Sequence, residues 1–175
     1  VSCYGNELTI GIILANWILS EALGVFIIGK VIGRVKNKIN VFLGLQIAFS
    51  AMLPLAIYLS RAFKDILGIP FGEAIGLGTI FYASFFICLP LAFSHGALFS
   101  AGSQIYSSYI KDPAGSIAKI YTLETIGTIL GGLVLTYLLI PYLNSFQIVF
   151  ILSLLNLALC LFFFRETTKS VKYII

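Results

Sequence analysis

Five long apolar runs, separated by short polar segments, dominate the sequence. The runs cover about residues 8–29, 40–60, 74–101, 118–141 and 146–164. Because roughly 20 apolar residues in a helix cross the hydrocarbon of a bilayer, each run is long enough to span it. The pattern predicts an all-α fold, a polytopic transmembrane helical bundle with five spans that occupies residues 1–175 as one transmembrane domain.

The composition supports the same class of protein. Hydrophobic residues make up 59% of the chain and charged residues 10%, and the mean hydropathy is +1.04. Soluble domains carry about 45–50% apolar and about 25% charged residues. A soluble fold of this length would have to expose several of these runs as large apolar patches, so we interpret the chain as an integral membrane protein.

The charged residues alternate between the connections in a way that predicts orientation. The first and third connections and the C-terminal segment are net basic, the second is neutral and the fourth carries no charge. Because Lys and Arg are retained on the cytoplasmic side, the basic connections and the C-terminus are expected to be cytoplasmic, in a cell inner membrane. The same asymmetry and contact with anionic headgroups account for the net charge of +4, so it gives no support for nucleic-acid binding.

Both ends of the sequence suggest a longer protein. The chain begins at Val1, without Met, and almost at once enters a span whose start is predicted to lie outside. We expect one further helix upstream, which would make six spans. The basic C-terminal segment is suited to lead into a cytoplasmic domain, although residues 1–175 contain no soluble domain themselves.

Three ionisable residues lie inside the spans, where such groups are costly and often functional. With a rise of about 1.5 Å per residue, Glu21 falls roughly 4 Å, Glu124 roughly 8 Å and His95 roughly 10 Å to the cytoplasmic side of mid-membrane. Three groups at similar depth on three helices can converge on one interior point, which makes them a candidate proton or cation site. The alternative is structural: paired carboxylates and a satisfied histidine that hold helices together.

Small residues predict where helices pack closely. On the first helix, Asn16, Ser20 and Gly24 lie on one face, and Trp17 and Glu21 line the adjacent face, so this side should contact protein rather than lipid. Elsewhere, glycines four residues apart form the pattern that lets two membrane helices approach closely. The predicted packing glycines are Gly24, Gly29, Gly33, Gly127, Gly131 and Gly132.

No complete catalytic site is visible in the sequence. It contains no phosphate-binding loop, no HExxH, no nucleophile elbow and no paired Cys and His at metal-ligand spacing. The cysteines, Cys3, Cys88 and Cys160, form no CxxC and are interpreted as small apolar residues. No cofactor and no metal is therefore predicted, and whether the full protein is an enzyme stays open.

Three stretches resemble the membrane region of spermidine synthase-like proteins, in which a major-facilitator-like bundle is fused ahead of an aminopropyltransferase-type domain. They are IYTLETIGTILGGLVLTYLLIPYL, with its Tyr, acid, Gly-rich spacing and closing Leu-Pro, then ICLPLAFSHGALFSAG, and the first helix, YGNELTIGIILANWILSEALGVFIIGKVIG. The similarity covers most of the chain, although these are membrane-packing motifs of modest specificity. Glu21 and His95 depart from the pattern, which has small or apolar residues there.

The resemblance implies a membrane bundle that anchors an aminopropyltransferase-type domain and handles its polyamine substrate or product. It places a cationic amine among the ligands to be considered, beside lipid and other transmembrane helices or subunits. The alternative is a non-enzymatic membrane subunit, either half of a transporter or an accessory subunit of a larger membrane complex.

Overall fold

The computed structural model describes residues 7–69 and 75–172, with side chains described as far as residue 165. These residues form helices and turns, with no strand among them. The helices are α1 (Glu7–Ile32), α2 (Lys38–Ile66), α3 (Leu77–Ile110), α4 (Pro113–Val134), which continues into a π-helical turn (Leu135–Leu139), and α5 (Ser145–Lys172).

Local capping accounts for the starts of α4 and α5. Between α3 and α4, Lys111 adopts a left-handed conformation with φ of 60°, and the Asp112 side chain accepts a hydrogen bond from the Gly115 backbone N–H at 3.1 Å. Before α5, Asn144 and Gln147 exchange backbone-to-side-chain hydrogen bonds of 2.9 and 3.0 Å. These contacts satisfy N–H groups that a helix start leaves without partners, and so fix where each helix begins.

All five helices are long and apolar enough to cross a membrane, which confirms the predicted fold class. The helices extend beyond the predicted spans: α2 continues to Ile66, α3 continues to Ile110, and α4 begins at Pro113. Polar turns add to a helix without adding to its apolar run, so hydropathy marks the membrane-crossing part and misses the ends. The predicted start of the third span, at residue 74, lies outside the described residues. Orientation and the identity of the membrane stay predictions.

Helix α3 is the centre of the arrangement and packs against α1, α2 and α4, while α2 also packs against α5. Helices α1 and α3 run parallel, since Asn16 bonds to the Phe81 carbonyl and the Gln104 side chain bonds to the Gly29 carbonyl. Helices α2 and α5 run antiparallel. This order brings three helices around the middle of α3.

Among the described helices, α1 and α3 approach each other most closely. A Cβ atom on Gly24 would collide with the Phe93 carbonyl, and one on Gly96 would collide with the Glu21 carbonyl. Asn16 and Ser20 are 1% and 0% exposed, which confirms that this face of α1 contacts protein. At Gly24 and Gly96 the two helix backbones are therefore in direct contact, with no side chain between them.

The α2–α5 interface is held by amides inside the spans. The Gln46 side-chain amide donates to Asn156 Oδ1, and the Asn156 amide donates to the Gln46 carbonyl at 3.2 Å and to Ser50 Oγ at 2.7 Å. Ser153 Oγ donates to the Ser50 carbonyl at 2.9 Å. Each polar group thus meets a partner where lipid offers none.

The predicted packing glycines behave in two ways. Besides Gly24, a Cβ on Gly29 would lie 3.1 Å from Ser100 Oγ, and one on Gly33 would lie 3.7 Å from Gln104 Oε1, so the α1 glycines face α3. The α4 glycines have no atom of another helix within 4 Å of a built Cβ. They are Gly127, Gly131 and Gly132. Among the described residues no helix covers them, so their packing role stays a prediction.

Candidate cation site between three helices

The three ionisable residues singled out in the sequence meet at one place. His95 on α3 contacts Glu21 on α1 through Nδ1, 2.8 Å from Glu21 Oε1, and Glu124 on α4 through Nε2, 3.2 Å from Glu124 Oε1. One imidazole therefore bridges two carboxylates that come from different helices. The depth argument predicted a convergence, and the structure brings all three together.

Glycine places Glu21 against His95. Gly96 follows His95, and the backbone of Glu21 lies where a Gly96 Cβ would be. The close approach of α1 and α3 thus sets the two side chains on facing surfaces. Trp17, one helical turn before Glu21, donates its indole N–H to Glu21 Oε2 at 3.0 Å. Both oxygens of this carboxylate are therefore engaged, and its position is fixed.

The side chain of Glu124 has fewer polar contacts than that of Glu21. Within residues 7–69 and 75–165, the side chain of Glu124 has no polar contact besides His95. Aromatic rings lie around the imidazole, with the Trp17 and Phe49 ring centroids 6.2 and 6.0 Å from that of His95. The side chains of Glu21, His95 and Glu124 are 28%, 34% and 29% exposed. All three can therefore be reached from open space beside them.

That open space consists of two grooves on either side of the His95–Glu124 contact. The first, here called the α1–α4 groove, has a volume of about 670 Å³ and is lined by all three ionisable residues together with Trp17, Phe99 and Tyr121, among others. The second, the α2–α4 groove, has a volume of about 460 Å³ and is lined by His95 and Glu124 together with Phe42, Gln46, Phe49 and Asn156, among others. Glu21 faces only the first groove, whereas Glu124 faces both.

The Nδ1–Glu21 contact is a hydrogen bond and the Nε2–Glu124 contact is an ion pair. Proton counting gives the charge of the arrangement in which each of the two contacts carries a hydrogen. A contact between a ring nitrogen and a carboxylate oxygen needs one hydrogen, because without it two lone pairs face each other. Two such contacts need two protons, shared among one imidazole and two carboxyl groups. The bridged cluster then carries one negative charge, with His95 either cationic between two carboxylates or neutral beside one protonated carboxyl. A single positive charge balances it.

The three side chains are also close enough to be considered as ligands of one metal ion. One ligand atom from each residue can be chosen so that all lie within 4.8 Å of one another. The two ring nitrogens point in diverging directions, however, and each faces a different carboxylate, so the lone pair of one nitrogen does not meet both acids.

Sequence reasoning missed three contributors to the site and its frame. Gly96 sits between Ala92 and Ser100, a stripe of small residues that could have been read as a packing face. Trp17 was placed beside Glu21 but not as its hydrogen-bond donor. Gln46 and Asn156 could have been predicted to pair, since amides inside apolar runs need hydrogen-bond partners.

The two described cysteines, Cys88 and Cys160, form no disulfide, and Cys3 lies outside the described residues.

Comparison of the chain with protein-family models, curated proteins and solved structures gives no match.

Proposed function

We propose that this protein is a multi-pass membrane protein that binds a cationic amine in the α1–α4 groove through Glu21 and Glu124. The observation that carries the proposal is the imidazole bridge: two carboxylates from different helices converge beside an open groove within membrane-spanning segments. Acidic groups in such segments are rare, and they often mark ion or substrate paths.

The walls of the groove suit an ammonium group. An ammonium ion carries three N–H donors, which carboxylate oxygens can accept. Aromatic rings attract cations through their faces, and Trp17, Phe99 and Tyr121 line the same groove. The single negative charge of the bridged cluster matches one ammonium group. The methylene segments of a larger amine would lie against the apolar lining of the groove, and its further ammonium groups would face the aromatic rings there.

The resemblance to spermidine synthase-like membrane regions adds the ligand class. We infer a polyamine, and a role for the bundle in anchoring an aminopropyltransferase-type domain whose substrate or product it handles. The basic connections predict which side is cytoplasmic, and the three residues lie in that half of the bilayer, so we expect the amine to reach the site from the cytoplasmic side of an inner membrane.

The test is spermidine binding to the protein in nanodiscs, followed by spermidine flux in reconstituted vesicles. We expect Glu21→Gln and Glu124→Gln each to weaken binding by about tenfold, or about 1.4 kcal/mol, because each variant removes one of the two acids that give the cluster its negative charge. The matched control is Glu7→Gln at the exposed start of α1, which makes the same chemical change outside the site. Equal affinities for the site variants and the parent would contradict the proposal.

A second candidate function rests on the uncovered glycines of α4. A helix that presents Gly127, Gly131 and Gly132 to open space is suited to receive another transmembrane helix closely, as an accessory subunit of a membrane complex would. In that case Gly131→Leu would dissociate a co-purifying membrane subunit, while Ile129→Leu would leave it bound. A chain that stays monomeric in native-like membranes, with or without the Gly131 substitution, would contradict this function.

A further inference from the structure

We propose that His95 relays a proton between Glu21 and Glu124, so that amine binding beside Glu21 moves a proton to Glu124 at the α2–α4 groove. This inference rests on the proposed amine site and adds its coupling to protons. The result would be a cation site whose occupation transfers a proton from one groove toward the other.

The relay geometry is provided by the two ring nitrogens. Nδ1 is hydrogen-bonded to Glu21 Oε1 at 2.8 Å, and Nε2 lies 3.2 Å from Glu124 Oε1 in an ion-pair contact. Both distances are within reach of a proton transfer, and the second transfer requires the Glu124 carboxylate to align with the Nε2–H. An imidazole can accept a proton at one nitrogen while it gives up another at the opposite nitrogen. Because Glu21 lines only the α1–α4 groove and Glu124 lines both grooves, the transfer has a direction in space.

The transfer step balances without any other reactant. Before the step, Glu21 is protonated and donates to Nδ1, while the Nε2–H donates to the Glu124 carboxylate. The Glu21 proton moves to Nδ1, and the Nε2 proton moves to Glu124. Afterwards Glu21 is a carboxylate, His95 is neutral with its hydrogen on Nδ1, and Glu124 is protonated. The total charge of the cluster is the same before and after.

Amine binding selects the second state. An ammonium group in the α1–α4 groove is stabilised by a Glu21 carboxylate and not by its protonated form. Trp17 holds Glu21 Oε2, so Oε1 remains as the atom that exchanges a proton with the ring. A bound amine therefore favours the arrangement in which the proton has left for Glu124.

The surroundings leave the relay to these three residues. His95 meets Glu21 from α1 and Glu124 from α4, while α2 presents the Phe49 ring. The α2–α4 groove adds Gln46 and Asn156, whose amides do not titrate. Among the described residues that line either groove, the only other titratable group is the Tyr121 phenol, on α4 in the α1–α4 groove. Among the described residues that line the α2–α4 groove, no titratable group other than His95 lies beside Glu124 to receive its proton.

The single histidine of the chain makes the step directly observable. We would record ¹⁵N NMR spectra of histidine-labelled protein in nanodiscs, purified without a histidine tag, with and without spermidine, and measure spermidine binding in the same samples. The expected result is a change of tautomer, in which the protonated nitrogen switches from Nε2 to Nδ1 as the site fills. In Glu124→Gln the amide cannot take up the proton, so spermidine still bound at high concentration should leave the tautomer unchanged.

The outcomes separate this inference from the proposed function. Spermidine binding without a tautomer change in the parent protein overturns the relay and leaves the amine site standing. A tautomer change that persists in Glu124→Gln also overturns it, because the proton would then have another acceptor. No spermidine binding in the parent protein contradicts the amine site, and with it the coupling.

Discussion

Helix α1 packs closely against α3 and helix α4 packs against it loosely, and each contributes one carboxylate that contacts His95. The α1 backbone touches the α3 backbone at Gly24 and Gly96, with no room for a Cβ atom on either. Helix α4 contacts α3 more loosely, and none of the residues in its membrane-spanning window is buried. One carboxylate is therefore built into a rigid helix pair, and the other is carried by a helix with a free surface.

Glu21 and Glu124 therefore differ in how firmly their positions are held. Glu21 has two partners and a backbone that cannot shift without separating α1 from α3. Glu124 has His95 alone among the described side chains, so its helix can move without breaking other polar contacts. This combination suits a site that binds and releases a ligand, since moving elements gate ligand entry and release in many proteins.

The largest effect is expected from filling the α1–α3 contact. Gly96→Val places a Cβ against the Glu21 carbonyl, and since backbone cannot give way as a side chain can, we expect a loss of about 3 kcal/mol in the free energy of unfolding. The measurement is unfolding in mixed micelles, followed by the fluorescence of the single tryptophan, Trp17. Gly127→Val is the control and should cost far less, because a Cβ on Gly127 meets no atom within 4 Å. Equal losses would mean that the α1–α3 contact is packed no more tightly than the uncovered face of α4.

A smaller effect is expected when α4 loses its polar contact. Glu124→Ala removes the bond to His95, so the distance distribution between spin labels at Tyr82 and Tyr137, at neighbouring ends of α3 and α4, should broaden. Glu21→Ala removes the corresponding bond of α1, yet labels at Ile10 and Tyr82 should report an unchanged distribution, because the glycine contacts remain. The same broadening in both pairs would refute the division into a fixed and a movable carboxylate.

A third effect tests the polar part of the α1–α3 interface. Asn16 donates to the Phe81 carbonyl at 2.9 Å and to Ser84 Oγ at 2.7 Å. Hydrogen bonds between membrane helices contribute about 0.6 kcal/mol on average, so Asn16→Ala should lower the unfolding free energy by about 1 kcal/mol. Thr128→Ala on α4 is the control, since Thr128 bonds only within its own helix. A loss for Thr128→Ala as large as that for Asn16→Ala would contradict the comparison.

Sequence reasoning reached the fold class because apolar runs report directly on the environment that a helix must cross. It reached the meeting of Glu21, His95 and Glu124 because the rise of a helix converts residue number into depth. Depth says nothing about rotation around the helix axis. Which nitrogen faces which acid, and that Glu124 borders two grooves, therefore required the structure.

The glycines show the limit of a packing motif. Ala92, Gly96 and Ser100 form a stripe as readable as that of Gly127 and Gly131. The first stripe meets α1 at backbone distance, while the second meets no described helix. A stripe records that close approach is allowed, and only the arrangement of the other helices decides whether it happens.

The smallest effect is expected at Gly131, in the uncovered glycine stripe of α4. The sign of the change in unfolding free energy there distinguishes an open face from a covered one. No atom of another helix lies within 4 Å of a Cβ built on Gly131, so Gly131→Ala adds a methyl group to open space. Because alanine favours a helix over glycine by up to about 1 kcal/mol, the variant should be stabilised by a few tenths of a kcal/mol or more when the protein is alone in nanodiscs. Gly24→Ala, at the closed interface, should be destabilised by the same methyl group. If Gly131→Ala is instead destabilised in native membranes but stabilised in nanodiscs, a partner helix covers the stripe in the cell. The α4 face would then be open only in the isolated chain. Stabilisation in both settings would leave α4 free to move with Glu124.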